Sequence, residues 1–362
     1  MNTKHLWIWS LAGLLWLDFS FGIKVSQVSA ADKPYYEGKT IKLIVSSSPG
    51  GGTDTAARLV VRFLPKYLPG NPQTIVQNMP GGGGTISNNY FFREAKPDGL
   101  TLLQDSSSGL TNFTRGGPTI KYDPRQYRTI GAIPRGGSVL MVRKDAKPRL
   151  MDPKAKALVV GDADGIRTWV AMTVWAAEYL GWNLRWIYGY PGTGELVLAL
   201  RQGEFDMFAT QNAKIIQGLV KDGVVDLLAQ QDDERRPDFS DVPTFDEILG
   251  AKKPSGVSWQ AYQVWEGPGA VDKFLVAPKG TPDDIVRLLR EAFSKMGQDP
   301  EFKDQATKFF GAGWSVRPGE KTEALIRETT TVAPETMSFL TKIRKKHGLP
   351  AEEPKKEPKK KG

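Results

Sequence analysis

LIVSSSPGGGTDTAARLVVRFL, residues 43–64, is the stretch whose reading decides the fold. An apolar, β-type run enters a triple glycine (Gly50, Gly51, Gly52). It leaves as an amphipathic helix with Ala56, Leu59, Val60, Phe63 and Leu64 on one face, which Pro65 stops. Such a turn can hold an anion, because the first N–H groups of a helix have no acceptor inside it and its dipole favours negative charge. A nucleotide phosphate loop is excluded. That loop needs G-x-x-x-x-G-K-[ST], and here Thr53 and Asp54 follow the glycines without a lysine. Two readings remain: a turn that binds one carboxylate, or a tight turn capped by Thr53 or Asp54.

Outward from this stretch, strand, loop and helix patterns alternate. QTIVQN is followed by MPGGGGT and a helix, LTLLQ by DSSSG, ALVV by GDADGIRT and a helix, LRWIY by GYPGTG and a helix. Repeated strand-loop-helix units predict parallel sheets with helices on both faces, and ligands in such sheets sit at the carboxyl ends of strands. Every glycine- or serine-rich loop quoted follows a strand, so the loops can converge on one crevice. The segment TPDDIVRLLREAF predicts a helix with Thr281 as N-cap, Pro282 at its first position and Asp283 and Asp284 in its first turn. Pattern alone gives three blocks, beginning near residues 39, 138 and 271.

The chain has 362 residues, enough for two domains. Its net charge is +9, of which the first 30 residues carry +1 and the tail from Ala351 +2, leaving a mildly basic body. That suits a small anionic ligand, and no basic-aromatic cluster indicates nucleic acid. Lys4, the apolar run LWIWSLAGLLWL and VSA at 28–30 read as an export signal cleaved after Ala30, with an uncleaved anchor as the rival reading. The composition has no cysteine, and the histidines are His5 and His347. This removes disulfides, thiolate nucleophiles, histidine zinc sites and Ser-His-Asp catalysis, so no catalytic residue and no cofactor is expected. Asp162 and Asp164 have the first spacing of a calcium loop, but its later acids are missing, so no metal is expected either.

The order of motifs resembles the substrate-binding receptors of tripartite tricarboxylate transporters, the Bug family of periplasmic receptors. Their first strand and loop, close to I-[RK]-L-I-V-x-x-x-P-G-G-G-T-D, match 41–54. V-x-N-x-P-G-x-G-G matches VQNMPGGGG at 76–84, and P-D-G-x-T-L matches 97–102. IYGYPGTGELVLAL, GEFDM, DVPTFDE and APKGTPDDIVRLL resemble later family segments in the same order, so the resemblance covers about 35–346. It implies an α/β, two-domain periplasmic-binding-protein (Venus-flytrap) fold with two interdomain crossovers. Domain 1 would be 35–137 plus 271–346, domain 2 would be 138–270, and 351–362 a Lys/Pro-rich disordered tail. It implies a monomeric periplasmic receptor for a small organic anion, typically a carboxylate, delivered to the membrane permease subunits of such a transporter. A sensory partner of a membrane kinase and a periplasmic enzyme using acidic residues are the alternatives.

On this reading the first-domain ligand residues are Ser47, Ser48, Gly51, Gly52 and Thr53, then Gly83, Gly84 and Thr85, then Ser107 and Ser108. The second domain offers Arg167, Thr168, Tyr188, Gly192, Thr193 and Gln211. Turn chemistry is the competing account of the serines, and half-buried strand packing that of Tyr188. Arg167 either pairs with Asp162 or Asp164 at the surface or grips a second anionic end of the ligand. Ser46, Ser47 and Ser48, and the stretch DGIRTWVAM, depart from the usual family residues, so ligand identity does not carry over. The tryptophans between Trp169 and Trp265 are expected in the core and hinge.

Overall fold

The computed structural model of the protein describes residues 33–232 and 234–351. The export signal with its cleavage site, and the tail from 352 onward, lie outside the described residues. The first lobe begins with β1 (Thr40–Val45), α1 (Gly52–Phe63), β2 (Gln73–Asn78), α2 (Thr85–Glu94), β3 (Thr101–Ser106), α3 (Ser107–Arg115) and β4 (Arg128–Ala132). The chain then builds a second lobe from β5 (Val139–Arg143), β6 (Leu158–Asp162), α4 (Val170–Trp175), β7 (Leu184–Tyr188), α5 (Thr193–Gln202), β8 (Met207–Thr210), α6 (Ala213–Lys221) and β9 (Val225–Gln230). α7 (Phe245–Leu249), α8 (Gly256–Glu266) and α9 (Pro268–Val271) lead back to the first lobe through β10 (Lys273–Ala277). α10 (Asp283–Gln298), α11 (Pro300–Phe310), β11 (Arg317–Pro318), α12 (Gly319–Thr330) and α13 (Pro334–Lys346) complete the chain.

The sheets are mixed rather than parallel. The first has the order β11-β4-β10-β3-β1-β2 and the second β7-β6-β8-β5-β9. β1, β2 and β3 are parallel, as are β6, β7 and β8. β10 runs antiparallel to β3 and β4, and β5 antiparallel to β8 and β9. The reason is topological. β5 and β10 each arrive from the other lobe, so they enter their sheet at the end where the glycine- and serine-rich loops leave it. Lys273, the first residue of β10, accordingly lies opposite Ser106, the last of β3.

Apolar residues cover both faces of the first sheet. Leu43, Val45, Leu59, Phe63, Leu289, Phe293 and Phe302 pack on one side, and Ile44, Leu103, Phe91, Tyr127 and Phe274 on the other. The second lobe closes around Trp175, Phe205, Phe208 and Trp265. Each such aromatic contributes roughly 2–3 kcal/mol by burial. Trp169, Trp175, Trp182 and Trp265 are buried and Trp186 and Trp259 partly so, as core residues. Thr281 is not the cap of α10. Its hydroxyl donates to Pro278 O (2.8 Å), and extended Pro282 precedes the helix at Asp283.

The last helix corrects one grouping. The division 35–137 plus 271–346 places α13 with the first sheet, but Leu340 and Ile343 of α13, and Leu349 after it, belong to the second lobe's core. Beyond the crossovers at 133–138 and 271–272, the chain therefore passes between lobes once more at 331–333. Lys346 Nζ and His347 Nε2 fasten this end to Glu178, at 2.7 and 2.6 Å.

Candidate functional site

β1, β2 and β3 each run into a helix, and the starts of α1, α2 and α3 lie together at one end of the first sheet. DSSSG, expected as a loop, is in part the first turn of α3, with Ser107 and Ser108 as its opening residues. Gly51, Gly84 and Ser106 stand at the three N-caps, and none makes a side-chain capping bond. At α3 the first N–H, that of Ser107, donates to Asp272 O (2.9 Å), and at α2 Thr85 N and Ile86 N turn to Gly82 O and Gly81 O, so α1 has the most open start of the three.

Side chains behind the loops hold them in register. Asn78, at the end of β2, donates to Ser47 O (2.9 Å) and Asp54 Oδ1 (2.8 Å). Asp54 is buried. Its other oxygen accepts from Gly50 N (2.9 Å) and Arg58 Nε (2.8 Å). Burial opposes its charge, but the bonds from Arg58, Asn78 and Gly50 win, and the carboxyl titrates below its usual range. Asp54 thus ties the triple-glycine turn from beneath. Asn88 donates to Gly84 O (2.9 Å) and to Asp105 Oδ2 (2.8 Å), and Asn112 to Gly82 O (2.8 Å) and Gly83 O (3.1 Å). Gly84 has φ +91°, and a Cβ there would lie 3.1 Å from Asp105 Oδ1 and 3.3 Å from the Cβ of Ser46. Only glycine suits this point. Thr85 uses its hydroxyl on Gly82 O (2.7 Å), and Ser108 packs near Gly83.

The crossings add charges the sequence reading missed. Arg135 Nε donates to Asp272 Oδ2 (2.6 Å), while its Nη2 reaches Asp272 Oδ1 (3.0 Å) and Gln211 Oε1 (2.6 Å). Its Nη1 lies 3.1 Å from where a Cβ on Gly52 would sit, so the guanidinium stands at the start of α1. Lys273 Nζ also pairs with Asp272 Oδ1 (3.0 Å). Burial works against ionisation of Asp272, yet Arg135 and Lys273 outweigh it and hold the carboxyl low. Arg236, fully buried, donates to Gly137 O and Gln211 O, both at 3.0 Å, and pairs with Asp238 (2.8 Å). The signals were present: Lys273 and Asp105 are charges at the ends of strand-like apolar runs, and Arg135 sits in the IPRGG stretch between blocks.

In the second lobe, Gln211 is engaged from both lobes' connection, since its Nε2 donates to Gly136 O (3.0 Å). Thr168 packs against Gly269 of α9, with Gln231 beside it. Arg167 Nε lies 3.5 Å from Asp162 Oδ1, with the arginine side chain 35% exposed and the aspartate buried. Asp162 and Asp164 accept from Gly165 N and Ile166 N (2.9 and 3.0 Å), using those oxygens inside the loop. Burial pushes the Asp162 carboxyl up to about 6, with Arg167 opposing and Asp164 adding to the shift. Tyr188 is 48% exposed and packs beside Gly165. Gly192 and Thr193 open α5, again without a side-chain cap. The structure thus joins Gln211 to the first-lobe cluster through Arg135, places Thr168 at the hinge, and leaves Arg167, Tyr188, Gly192 and Thr193 on the second lobe's own loops.

Two α/β lobes joined by charged crossings, with helix starts gathered at the strand ends, form the architecture of two-lobed solute-binding proteins. Residues 57–331 match the family described as "Tripartite tricarboxylate transporter family receptor". The chain belongs to this family, which includes the Bug receptors. A UPF0065 protein of Agrobacterium vitis, from the TAR-I ttuE-ttuC' intergenic region, is 28% identical, the match covering 73% of each chain. A TctC solute-binding protein from Polaromonas superposes with a TM-score of 0.64 at 22% identity, covering 86% of this chain and 99% of that one. MatC of Rhodopseudomonas palustris, solved with bound malate, gives 0.58 at 22%, covering 81% and 97%. Members of the family serve a membrane transporter from the periplasm. Among the described residues no helix is long and apolar enough to cross a membrane.

Proposed function

We propose that the protein captures a small organic dianion, with a carboxylate at each end, between its lobes and delivers it to the permease subunits of a tripartite tricarboxylate-type transporter. The observation that carries this reading is the convergence of three uncapped helix starts with the Arg135 guanidinium beside Gly52. Ser47, Ser48, Gly51, Gly52, Thr53, Gly83, Gly84, Thr85, Ser107 and Ser108 line the place of one carboxylate, which the N–H groups of Gly52 and Thr53 and the hydroxyls of Ser107 and Ser108 meet, while Gly84 and Thr85, bonded to Gly81 O and Gly82 O, shape the second loop. Arg167, with Thr168, Tyr188, Gly192 and Thr193, receives the far end, and Gln211 links the faces through Arg135. Malate, the ligand in the MatC structure, has this two-ended chemistry.

A ligand touching both faces favours the closed arrangement through contacts absent when the lobes part. The lobes divide at 35–137 with 271–333, and 138–270 with 334–351. The role is binding, with the solute returned unchanged. The mature chain begins after Ala30 and works as a monomer. Calorimetry with malate, adipate and acetate tests the reading. The two dicarboxylates should bind well above acetate, and Arg167→Ala should weaken them several-fold while barely changing acetate. Equal losses for all three would remove Arg167 as selector. Native mass spectrometry finding a neutral solute in the protein purified from its host would overturn the dianion.

A further inference from the structure

Asp105 is the penultimate residue of β3, and its carboxyl lies behind the chain that follows β1, β2 and β3. Oδ2 accepts from Asn88 (2.8 Å), which also donates to Gly84 O at the start of α2 (2.9 Å). A Cβ on Gly109, in the first turn of α3, would lie 2.2 Å from the same oxygen, so α3 passes the carboxyl as bare backbone. Oδ1 faces the turn after β1. It lies 3.1 Å from where a Cβ on Gly84 would sit, and the Cβ of Ser46 lies 3.3 Å from that same point. Both residues are buried. Asp105 Oδ1 and Ser46 Oγ are sealed from solvent, and neither makes an aligned hydrogen bond.

A sealed carboxylate oxygen without a donor is costly, whereas a carboxyl O–H beside a hydroxyl oxygen has an acceptor at hand. The surrounding elements bring little charge to favour the ionised form. β10 contributes Lys273, but that ammonium is committed to Asp272 (3.0 Å), which Arg135 also holds. α2 presents the neutral Asn88, and the first turn of α3 presents serines and Gly109. β4 and the segment after α3 bring the phenols of Tyr127 and Tyr122, which donate to Asn88 Oδ1 (3.1 Å) and Gly109 O (2.6 Å) rather than to Asp105. Burial dominates, opposed by Ser46, Asn88, the Ser106 N–H and Lys273, and the carboxyl titrates above its usual range.

We propose that Asp105 is a proton acceptor coupled to solute capture: an anion settling on the first-lobe loops draws one proton from solvent onto Asp105 Oδ1, and the new O–H donates to Ser46 Oγ. This rests on the reading that an anionic solute binds at those loops. A solute carboxylate in front of Ser46 and Gly84 and an ionised Asp105 behind them repel each other where water is excluded, and the proton removes that repulsion. Asn88 keeps its bond to Oδ2 in either state, so the loops hold their register while the charge behind them changes. The coupling therefore acts on affinity. Because a proton is taken up on binding, capture is strongest below the midpoint of the free protein. It weakens as the pH rises through the window between the free and the bound midpoints.

Two measurements on the full chain test the proposal: calorimetry of malate binding in buffers of unlike ionisation enthalpy, and carbon NMR of the Asp105 carboxyl with and without malate. Malate should bring a net proton uptake at a pH where it is itself fully ionised, with affinity falling by roughly tenfold per pH unit at most. The Asp105 midpoint should rise when malate is added. Asp105→Asn, which places an amide donor opposite Ser46 Oγ, should bind malate without proton uptake and with an affinity that does not change over the same pH range. Should that variant fail to fold, the carboxyl signal of the wild type decides alone. Proton uptake that persists in Asp105→Asn, or an Asp105 midpoint that bound malate leaves in place, would overturn the proposal. If neither malate nor adipate bound at any pH, the dianion reading would fall and the free protein would judge Asp105 separately. A midpoint above the usual carboxylate range supports a proton acceptor there, and one within it overturns the proposal.

Discussion

Behind the first-lobe loops stand three asparagines, Asn78, Asn88 and Asn112, each bonded to the backbone of a loop that follows a strand, and two buried aspartates, Asp54 and Asp105. Behind the second-lobe loops the ties are local. Asp162 and Asp164 bond their own turn, Tyr188 is half exposed, and the start of α5 has the exposed Glu195 as its nearest side chain. The contrast separates two tasks. A face whose donors are already fixed loses little freedom on binding and can set affinity. A looser face can adapt to the far end of the solute and close over it.

The comparison breaks most visibly at Arg135. Arg135→Ala leaves Asp272 buried with Lys273 alone and cuts the link to Gln211, and should destabilise the protein by about 3 kcal/mol. Urea denaturation reads this. A loss no larger than that of an exposed second-lobe residue would mean the crossings do not brace the first-lobe face.

Asp162 tests the other side. Its carboxyl titrates at about 6 in the folded chain against 3.8 ordinarily. A raised carboxyl pKa gives a contribution that is complete below about pH 4 and lost as the pH rises through about 6. Asp162→Asn should therefore gain roughly 1–3 kcal/mol over wild type at pH 7.5 and little at pH 4. A gain independent of pH would assign the effect to packing.

The glycines at the helix starts sharpen the contrast. A Cβ on Gly51 would lie 3.3 Å from Ser48 O and 3.4 Å from Ser47 Oγ, whereas one on Gly192 meets the mobile end of Glu195 at 3.1 Å. Gly51→Ala should weaken a dicarboxylate about tenfold, some 1.4 kcal/mol, and Gly192→Ala much less, with similar melting for both. Equal affinities in calorimetry would show that the two starts are interchangeable. The smallest effect is expected at Tyr188. Tyr188→Ala should alter stability by no more than about 0.5 kcal/mol, and a larger drop in urea denaturation would make its packing beside Gly165 structural.

Much of the first lobe was legible because its signals are local. β1, the triple glycine and α1 are read from apolar spacing and from Pro65, and the order of glycine loops carried the family. α3 was hidden because SSGLTNFTR has few apolar residues, and it is helical because Leu110 packs into a core built by other segments. Arg135, Asp272 and Lys273 were passed over because 137 residues separate the two ends of that bridge, and no local pattern relates them.

The sequence by itself determined the α/β character, the loops that follow strands, the lack of any cysteine, and the place of the triple-glycine turn. These follow from residue type and short-range periodicity, which a chain carries wherever it folds. Tertiary structure alone decided that β5 and β10 run antiparallel, that α13 crosses to the second lobe, that Asp54 braces the turn from below, and that Arg135 stands at the start of α1. Those depend on which distant segments meet, and the free energy that selects the meeting comes from burial and charge pairing across the whole fold.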